Sequence, residues 1–277
     1  LRELKMDPIR VGIIGQGHLG KFLSGELAKL PDEFHVECIW NRSADEERGV
    51  LPLSKLSSAH LSRVDLVVEV SHPSVIQQFG VLILQHSDLF IGSPTCLADS
   101  SLMSLLRDAA VNNNRRVLVP AGAFWGGEDI QKMADFGSLK ALTVTMTKHP
   151  NSFKLESPLK EKNEQAKACE EPTLLYSGSV RALCPLAPNN VNTMAGAAVA
   201  AHNLGFDLVQ ANLIADPSMQ DWHIVRVVAI GPDGFEVETI RRNPAKPGAV
   251  TGQQTFFSFL ASIRQGQFKP KGGIRIC

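Results

Sequence analysis

The chain has 277 residues, of which 44% are hydrophobic and 20% are charged, values typical of one large or two ordinary globular domains. Lys and Arg together number 28 and so do Asp and Glu, so charge gives no indication of binding to nucleic acid or to an anionic membrane surface. No apolar run reaches the roughly 18 residues of a membrane helix. The first eight residues lack the apolar core of a signal peptide, and the five cysteines show no metal-binding spacing. We therefore expect a cytoplasmic protein with reduced thiols and no metal.

The first 120 residues alternate short apolar strands with amphipathic helices. Continuous apolar strands between such helices predict an α/β fold with a doubly wound parallel sheet, covered on both faces. The predicted strands are Ile9–Ile14, Phe34–Trp40, Asp65–Val70, Phe90–Gly92 and Arg116–Val119, and the predicted helices are Leu19–Leu30, Ser74–Leu84 and Ser100–Asn112.

The first predicted strand runs directly into a G-x-G-x-x-G turn that opens the first helix: Gly15, Gln16, Gly17, His18, Leu19 and Gly20. In this pattern the glycines allow a tight turn, close approach of a pyrophosphate and close packing of helix on strand. The helix then directs unpaired N–H groups and its positive end at the phosphates. The context of strand, turn and helix predicts a Rossmann-type dinucleotide site.

The end of the second predicted strand bears on which dinucleotide binds. Domains that prefer NAD usually carry Asp or Glu there, on the ribose 2′-hydroxyl. Here the strand ends at Asn41 and Arg42, with Asp45 slightly late. Asn41 removes a charge that would repel a 2′-phosphate, and Arg42 can bind one. We therefore expect use of both cofactors, with NADP accepted at least as well as NAD.

The pattern changes after Ala123, where alternating strands replace continuous ones. We predict a dinucleotide-binding domain over residues 1–122 and a second α/β domain with a mixed sheet over 123–247, for substrate and dimerisation. A terminal helix within 248–277 is expected to pack back on the first domain, and the polar segment Asn151–Pro172 is predicted to be a long loop or a partly ordered insertion. The second domain's predicted strands are Leu139–Lys148, Leu174–Gly178, Phe206–Ala215, His223–Ile230 and Phe235–Arg241; its helix is Asn192–Ala201, and the terminal helix is Thr251–Arg264.

Several motifs resemble the L-aspartate dehydrogenase family, and with the glycine turn they span nearly the whole chain in the family's order. They are Pro120-Ala121-Gly122-Ala123, Pro188-Asn189-Asn190-Val191-Asn192, Gly205-Phe206-Asp207, and Ala215-Asp216-Pro217 followed by His223.

The resemblance implies reversible oxidative deamination of L-aspartate, through iminoaspartate, to oxaloacetate and ammonia, with hydride transfer from Cα to NAD(P). It also implies a homodimer. His223 matches the family's catalytic histidine, and histidine suits a general acid and base near neutral pH. Ala123 and Asn190 match positions that contact the cofactor near the nicotinamide. Asp216 matches an aspartate that we expect to orient His223 or to be structural.

Some assignments stay open. Asn192 can hold a ligand or cap the helix that it begins. His202 is the second candidate for the catalytic histidine, and His72 can lie beside the nicotinamide ribose.

A dicarboxylate substrate needs cations for its recognition, for which Lys148, Arg226, Arg241 and Arg242 are candidates. The family usually has an aromatic residue where Ala187 stands, which leaves room for altered specificity. A reductase of another imine or a sugar, or a non-catalytic NAD(P) sensor, is the alternative function.

Overall fold

A computed structural model describes residues 7–246 and 248–277. The expectation about the first eight residues therefore falls largely outside the described residues, as does Pro247 at the predicted domain boundary. The chain divides into two compact units. Unit 1 comprises residues 1–93, 104–118 and 268–274, and unit 2 comprises residues 94–103, 119–267 and 275–277.

Two sheets carry the fold, and both were predicted. In chain order, the strands of the first are β1 (Ile9–Ile14), β2 (Phe34–Asn41), β3 (Val50–Pro52), β4 (Leu66–Glu69), β5 (Asp88–Ile91) and β6 (Arg116–Val119). Those of the second are β7 (Ala141–Lys148), β8 (Thr173–Ser179), β9 (Gln210–Ala215), β10 (Trp222–Ile230) and β11 (Glu236–Pro244). A last strand, β12 (Gly273–Ile276), joins the first sheet.

The helices follow the amphipathic and small-residue patterns of the sequence. They are α1 (His18–Leu27), α2 (Ser58–Leu61), α3 (Pro73–Leu84), α4 (Ser100–Asn112), α5 (Gly127–Asp135), α6 (Leu159–Ala166), α7 (Val180–Leu183), α8 (Asn192–Ala200), α9 (Gly205–Leu208) and α10 (Gln253–Gly266). In the described ranges, no helix combines the length and the apolar character needed to cross a membrane.

The first sheet has the order β12-β6-β5-β4-β1-β2-β3 and is parallel at each of its recorded pairings from β6 to β3. Every residue of β4 and of β5 is buried, as expected for strands covered on both faces. In the register, Ile14 pairs with Trp40 on one side and with Glu69 on the other. The carboxyl ends of β1, β2 and β4 therefore meet at one edge of the sheet, which is where such sheets bind ligands.

The second sheet has the order β11-β10-β7-β9-β8 and is mixed. Burial alternates along β7 and β10, so one face is buried and the other is open. The doubly wound sheet with a second α/β sheet confirms the predicted fold class.

Several elements differ from the sequence predictions, which did not include β3, β12, α2, α5 or α7. Helix α6 lies in the segment Asn151–Pro172 that was predicted as a loop; few of its side chains are apolar, so periodicity gives little signal. The predicted strand Phe206–Ala215 begins with the short helix α9 instead. Helix α10 belongs to unit 2, where Phe259 lies 3.4 Å from the Cβ position of Gly122, whereas residues 268–274 belong to unit 1.

Candidate active site

The glycine turn in unit 1 has the geometry of a dinucleotide cradle. Gly15 has φ +114°, and a Cβ there would lie 2.7 Å from the carbonyl oxygen of Val70. A Cβ at Gly20 would lie 1.9 Å from the carbonyl oxygen of Gly15, so this turn of α1 tolerates only glycine. A Cβ at Gly17 would meet nothing within 4 Å, which leaves space for a ligand at the N-terminus of α1. These residues fit the pyrophosphate of NAD(P).

The other residues of the turn leave polar groups available. Gln16 has a buried Nε2 with no hydrogen-bond partner in the part of the chain that the structure describes. His18 is exposed and Leu19 is half-buried. The first turn of α1 contains no acidic residue, so no side-chain charge opposes an anion there.

The end of β2 presents no carboxylate of its own. Asn41 ends the strand and donates from Nδ2 to the carbonyl oxygen of Ser43, 3.3 Å away, while Arg42 is exposed. The late carboxylate, Asp45, is engaged locally, because it accepts from the backbone N–H of Arg48 and pairs with that guanidinium at 3.7 Å.

Glu69 is a fully buried carboxylate that sequence reasoning missed. Its side chain accepts hydrogen bonds from the backbone N–H and hydroxyl of Ser71, at 2.6 and 2.9 Å, and from those of Ser93, at 3.1 and 3.0 Å. Burial raises the pKa of Glu69 despite these bonds. Glu69 therefore ties together the loops after β4 and β5, at the ligand-binding edge. The serines following both strands were the available sequence signal.

His72 caps α3 rather than standing free. Its Nδ1 accepts from the backbone N–H of Ser74 at 3.2 Å and lies 2.9 Å from the hydroxyl of the same residue. This role accounts for a histidine before Pro73 without a ligand.

In unit 2, His223 lies in the second position of β10 and is only 4% exposed. It pairs with Asn243 of β11, which is also buried. On the other side, Ile224 pairs with Thr147 of β7, and continuing that antiparallel register by one residue sets His223 opposite Lys148. Three polar side chains thus form a row on the buried face of the sheet.

The imidazole of His223 is held neutral and has an unused nitrogen. Its Nε2 is buried and has no hydrogen-bond partner among the described residues. Burial, and secondly the positive charge of Lys148, lowers the pKa of His223 to about 3. A neutral histidine of this kind can accept a proton once a bound anion offsets the neighbouring charge.

Lys148 ends β7 and is 4% exposed. Its Nζ donates to the carbonyl oxygen of Val250 at 3.1 Å and lies 5.7 Å from the centre of the Phe153 ring. Burial lowers the pKa of Lys148 to about 8. The lysine therefore remains largely charged at neutral pH beside His223.

Asp216 follows β9 and forms a local turn. Its Oδ1 accepts from the backbone N–H of Ser218 at 2.9 Å and from the Ser218 hydroxyl at 2.7 Å. The hydrogen bonds found among the described residues include none between Asp216 and His223. The geometry therefore favours the structural role over the orienting one.

Asn190 and Asn192 have different environments. The amide of Asn190 accepts from the backbone N–H of Lys154 and donates to the carbonyl oxygen of the same residue, which fixes the chain after β7. Asn192 begins α8 but does not cap it; Val191 occupies the cap, and Oδ1 of Asn192 is buried with no partner in the described ranges. Only Asn192 has a free amide oxygen for a ligand. Ala123 is half-buried in the turn after β6.

The remaining cations and histidine are engaged or exposed. Arg241 donates from Nε to Asn243 Oδ1 and from Nη1 to the carbonyl oxygen of Gly122, each at 2.7 Å. Arg226 pairs with Glu238 at 2.6 Å, and Arg242 is exposed. His202 is exposed and lies 2.8 Å from a carboxylate oxygen of Asp135. Of the two candidate histidines, only His223 is buried in a polar row.

Comparison with known proteins finds matches for both halves of the chain. The profile described as "Homoserine dehydrogenase, NAD binding domain" matches residues 11–120, and the one described as "Aspartate dehydrogenase, C-terminal" matches residues 129–263. An aspartate dehydrogenase domain-containing protein of Danio rerio is 46% identical over 92% of this chain and 94% of its own length. An L-aspartate dehydrogenase of Thermotoga maritima is 29% identical over 93% and 97%.

Among solved structures, the aspartate dehydrogenase of Thermotoga maritima superposes with a TM-score of 0.71. It is 23% identical, and the match covers 94% of this chain and 95% of that one. This likeness supports the fold.

The two profile matches and the relatives identify an NAD(P)-dependent dehydrogenase, whose first sheet carries the glycine turn and whose second sheet carries the buried His223. The chain belongs to the L-aspartate dehydrogenase family.

Proposed function

We propose that this protein catalyses the reversible oxidative deamination of L-aspartate to oxaloacetate and ammonia, with His223 as the general acid and base. The observation that carries the proposal is the buried, neutral imidazole whose Nε2 lacks a hydrogen-bond partner among residues 7–246 and 248–277, one strand away from a buried ammonium. Family membership and the names of the relatives support aspartate as the substrate.

The reaction consumes L-aspartate, NAD(P)⁺ and water and yields oxaloacetate, NAD(P)H, ammonium and one proton. Bound NAD(P)⁺ supplies the hydride acceptor. His223 Nε2 takes the proton from the substrate ammonium, so that the nitrogen lone pair forms the C=N bond as the Cα–H electron pair leaves as hydride. The imidazolium releases this proton to solvent. The neutral imidazole then takes a proton from the water that attacks the imine carbon and passes it to the departing nitrogen, which leaves as ammonia and takes up the proton of the collapsing hydroxyl to become ammonium.

Within unit 1, we propose that the turn Gly15–Gly20 and the end of β2 bind the dinucleotide, with NADP accepted at least as well as NAD. The absence of a carboxylate at Asn41 and the exposed guanidinium of Arg42 support this preference. Residues 1–122 then serve the cofactor and residues 123–247 the substrate, with Ala123 and Asn190 as contacts of the nicotinamide end and Asn192 as a substrate residue.

We further propose a homodimer of a cytoplasmic enzyme. The open face of the second sheet carries half-exposed apolar residues, including Leu174 and Ile240, which are 49% and 48% exposed. A second copy would cover this face. Sedimentation of the wild type and of the Ile240→Glu variant tests the assignment: a wild-type monomer contradicts it.

The test of the reaction is oxidation of NADPH or NADH in the presence of oxaloacetate and ammonium, in wild type and in His223→Ala. We expect turnover in the wild type and its loss in the variant. Equal activity in the two contradicts the role of His223. A folded wild type that binds NADPH but turns over neither oxaloacetate nor aspartate contradicts the proposed reaction.

A further inference from the structure

Lys148 is a buried cation without an acidic partner. Within residues 7–246 and 248–277, no Asp or Glu side chain forms an ion pair with its ammonium. Its ammonium donates to the carbonyl oxygen of Val250 and lies over the ring of Phe153. Buried charges in proteins are normally paired, because a carbonyl dipole replaces only part of the lost hydration. The site around Nζ therefore lacks one negative charge.

The neighbouring side chain also lacks a partner. His223 lies opposite Lys148 in the extended register of β7 and β10, and its buried Nε2 makes no hydrogen bond within the described residues. An ammonium has three N–H donors, and an imidazole nitrogen is either a donor or an acceptor. An oxygen-bearing anion satisfies the ammonium donors, and a donor such as the amine of the same ligand satisfies the lone pair of Nε2.

The other cations of this sheet do not offer the same opportunity. Arg226 is neutralised by Glu238, and Arg242 is exposed. Arg241 lies on the buried face, but its guanidinium already holds Asn243 and the carbonyl oxygen of Gly122. Lys148 is the cation that combines burial with the fewest polar contacts.

We propose that Lys148 binds a carboxylate of the dicarboxylic amino-acid substrate, beside His223. The inference rests on the proposed function, because it takes the reacting molecule to be a four-carbon dicarboxylate. The carboxylate replaces the Val250 carbonyl as the main partner of Nζ. It also brings a negative charge next to His223, which favours proton uptake by the imidazole.

The experiment compares Lys148→Met, Lys148→Arg and the control Lys140→Met. Lys140 precedes β7, is exposed and likewise donates from Nζ to a carbonyl oxygen, that of Gly137. Calorimetry with succinate, a four-carbon dicarboxylate without an amine, measures binding in the presence and absence of NADP⁺. Steady-state kinetics measure KM and kcat for oxaloacetate.

We expect Lys148→Met to weaken succinate binding and to raise the KM for oxaloacetate by roughly 10- to 100-fold, the effect of losing a hydrogen bond to a charged group. The kcat should change less, and the affinity for NADP⁺ should be unchanged. Lys148→Arg should retain most of the succinate affinity, because the positive charge persists. Lys140→Met should behave as wild type.

Unchanged succinate affinity and oxaloacetate KM in folded Lys148→Met overturn the inference, as does loss of NADP⁺ affinity with succinate binding intact. If Lys148→Met does not fold, Lys148→Arg decides: retained succinate affinity supports anion binding by the charge at this position, and loss of succinate binding despite the persisting charge contradicts it. Succinate binding that depends on Lys148, in a wild type without aspartate or oxaloacetate turnover, contradicts the proposed function alone.

Discussion

His223 and Asn243 face each other across β10 and β11, and each side chain is at most 4% exposed. Oδ1 of Asn243 accepts a hydrogen bond from Arg241, which also donates to the carbonyl oxygen of Gly122. The asparagine is therefore part of the support around the imidazole, and in the part of the chain that the structure describes the Nε2 of His223 has no hydrogen-bond partner.

The first prediction concerns the two candidate histidines. His223→Ala should lower kcat by roughly 100- to 10,000-fold, the usual effect of removing a general acid–base group. His202→Ala should leave kcat within about twofold, because His202 is an exposed partner of Asp135. Initial rates with oxaloacetate, ammonium and NADPH measure both variants. A large loss in His202→Ala with normal His223→Ala would reverse the assignment.

The second prediction separates the cofactor role of the glycine turn from its folding role. A methyl group at Gly17 meets no protein atom within 4 Å, so Gly17→Ala should fold normally yet weaken NADPH binding by crowding the phosphates. Gly25→Ala, on the same helix and equally unobstructed, is the matched control and should stabilise the protein by about 0.5–1 kcal/mol. Fluorescence titration with NADPH and thermal unfolding measure the two effects. Equal NADPH affinity in both variants contradicts a phosphate site at Gly17.

The third prediction concerns the choice of dinucleotide. Asn41→Asp should weaken NADPH binding by roughly tenfold or more, because a carboxylate repels the 2′-phosphate, and should leave NADH binding equal or stronger. Arg42→Ala should also weaken NADPH binding. Arg48→Ala, which removes the partner of Asp45, is a nearby control. Wild-type turnover with NADH but not with NADPH is the result that contradicts this preference.

The fourth prediction follows from the low pKa of His223. In the unfolded chain this histidine takes up a proton near pH 6.5, whereas the folded protein resists protonation down to about pH 3. Between these values the unfolded state binds more protons, so the free energy of unfolding falls as the pH falls, by at most about 1.36 kcal/mol per pH unit from this group. His223→Gln lacks this term and should lose less stability between pH 7 and pH 5. Denaturant titrations at the two pH values measure the difference; parallel losses contradict a buried neutral imidazole.

Local pattern was sufficient for most of the architecture. Strands β1 and β6 and helix α4 have the bounds that hydrophobic periodicity predicts, because each buries a continuous or amphipathic apolar face. Helix α6 was missed because its sequence, Leu159–Ala166, is mostly polar and has too few apolar residues to show a helical hydrophobic periodicity.

The site was predictable only in part. His223 and the glycine turn were found from motifs. The pKa values of His223 and Lys148 depend instead on their burial and on the charged side chains around them, which a motif does not give. Lys148 donates to Val250, and Glu69 accepts from Ser93; both contacts join segments that are distant in sequence. Asp216 accepts from Ser218 in a local turn. A single sequence specifies residue types at these positions but not their partners.

The alternation of β10 makes the chemistry depend on strand alignment. His223 and Ile224 share a peptide bond, yet the first faces the buried row and the second the open side of the sheet. A slip of one residue would expose the imidazole to water and set an isoleucine beside the lysine ammonium. Strand β10 pairs with β11 over nine residues and with β7 over seven, and these pairings oppose such a slip. Residues far along the strands therefore fix the position of His223 without contacting it.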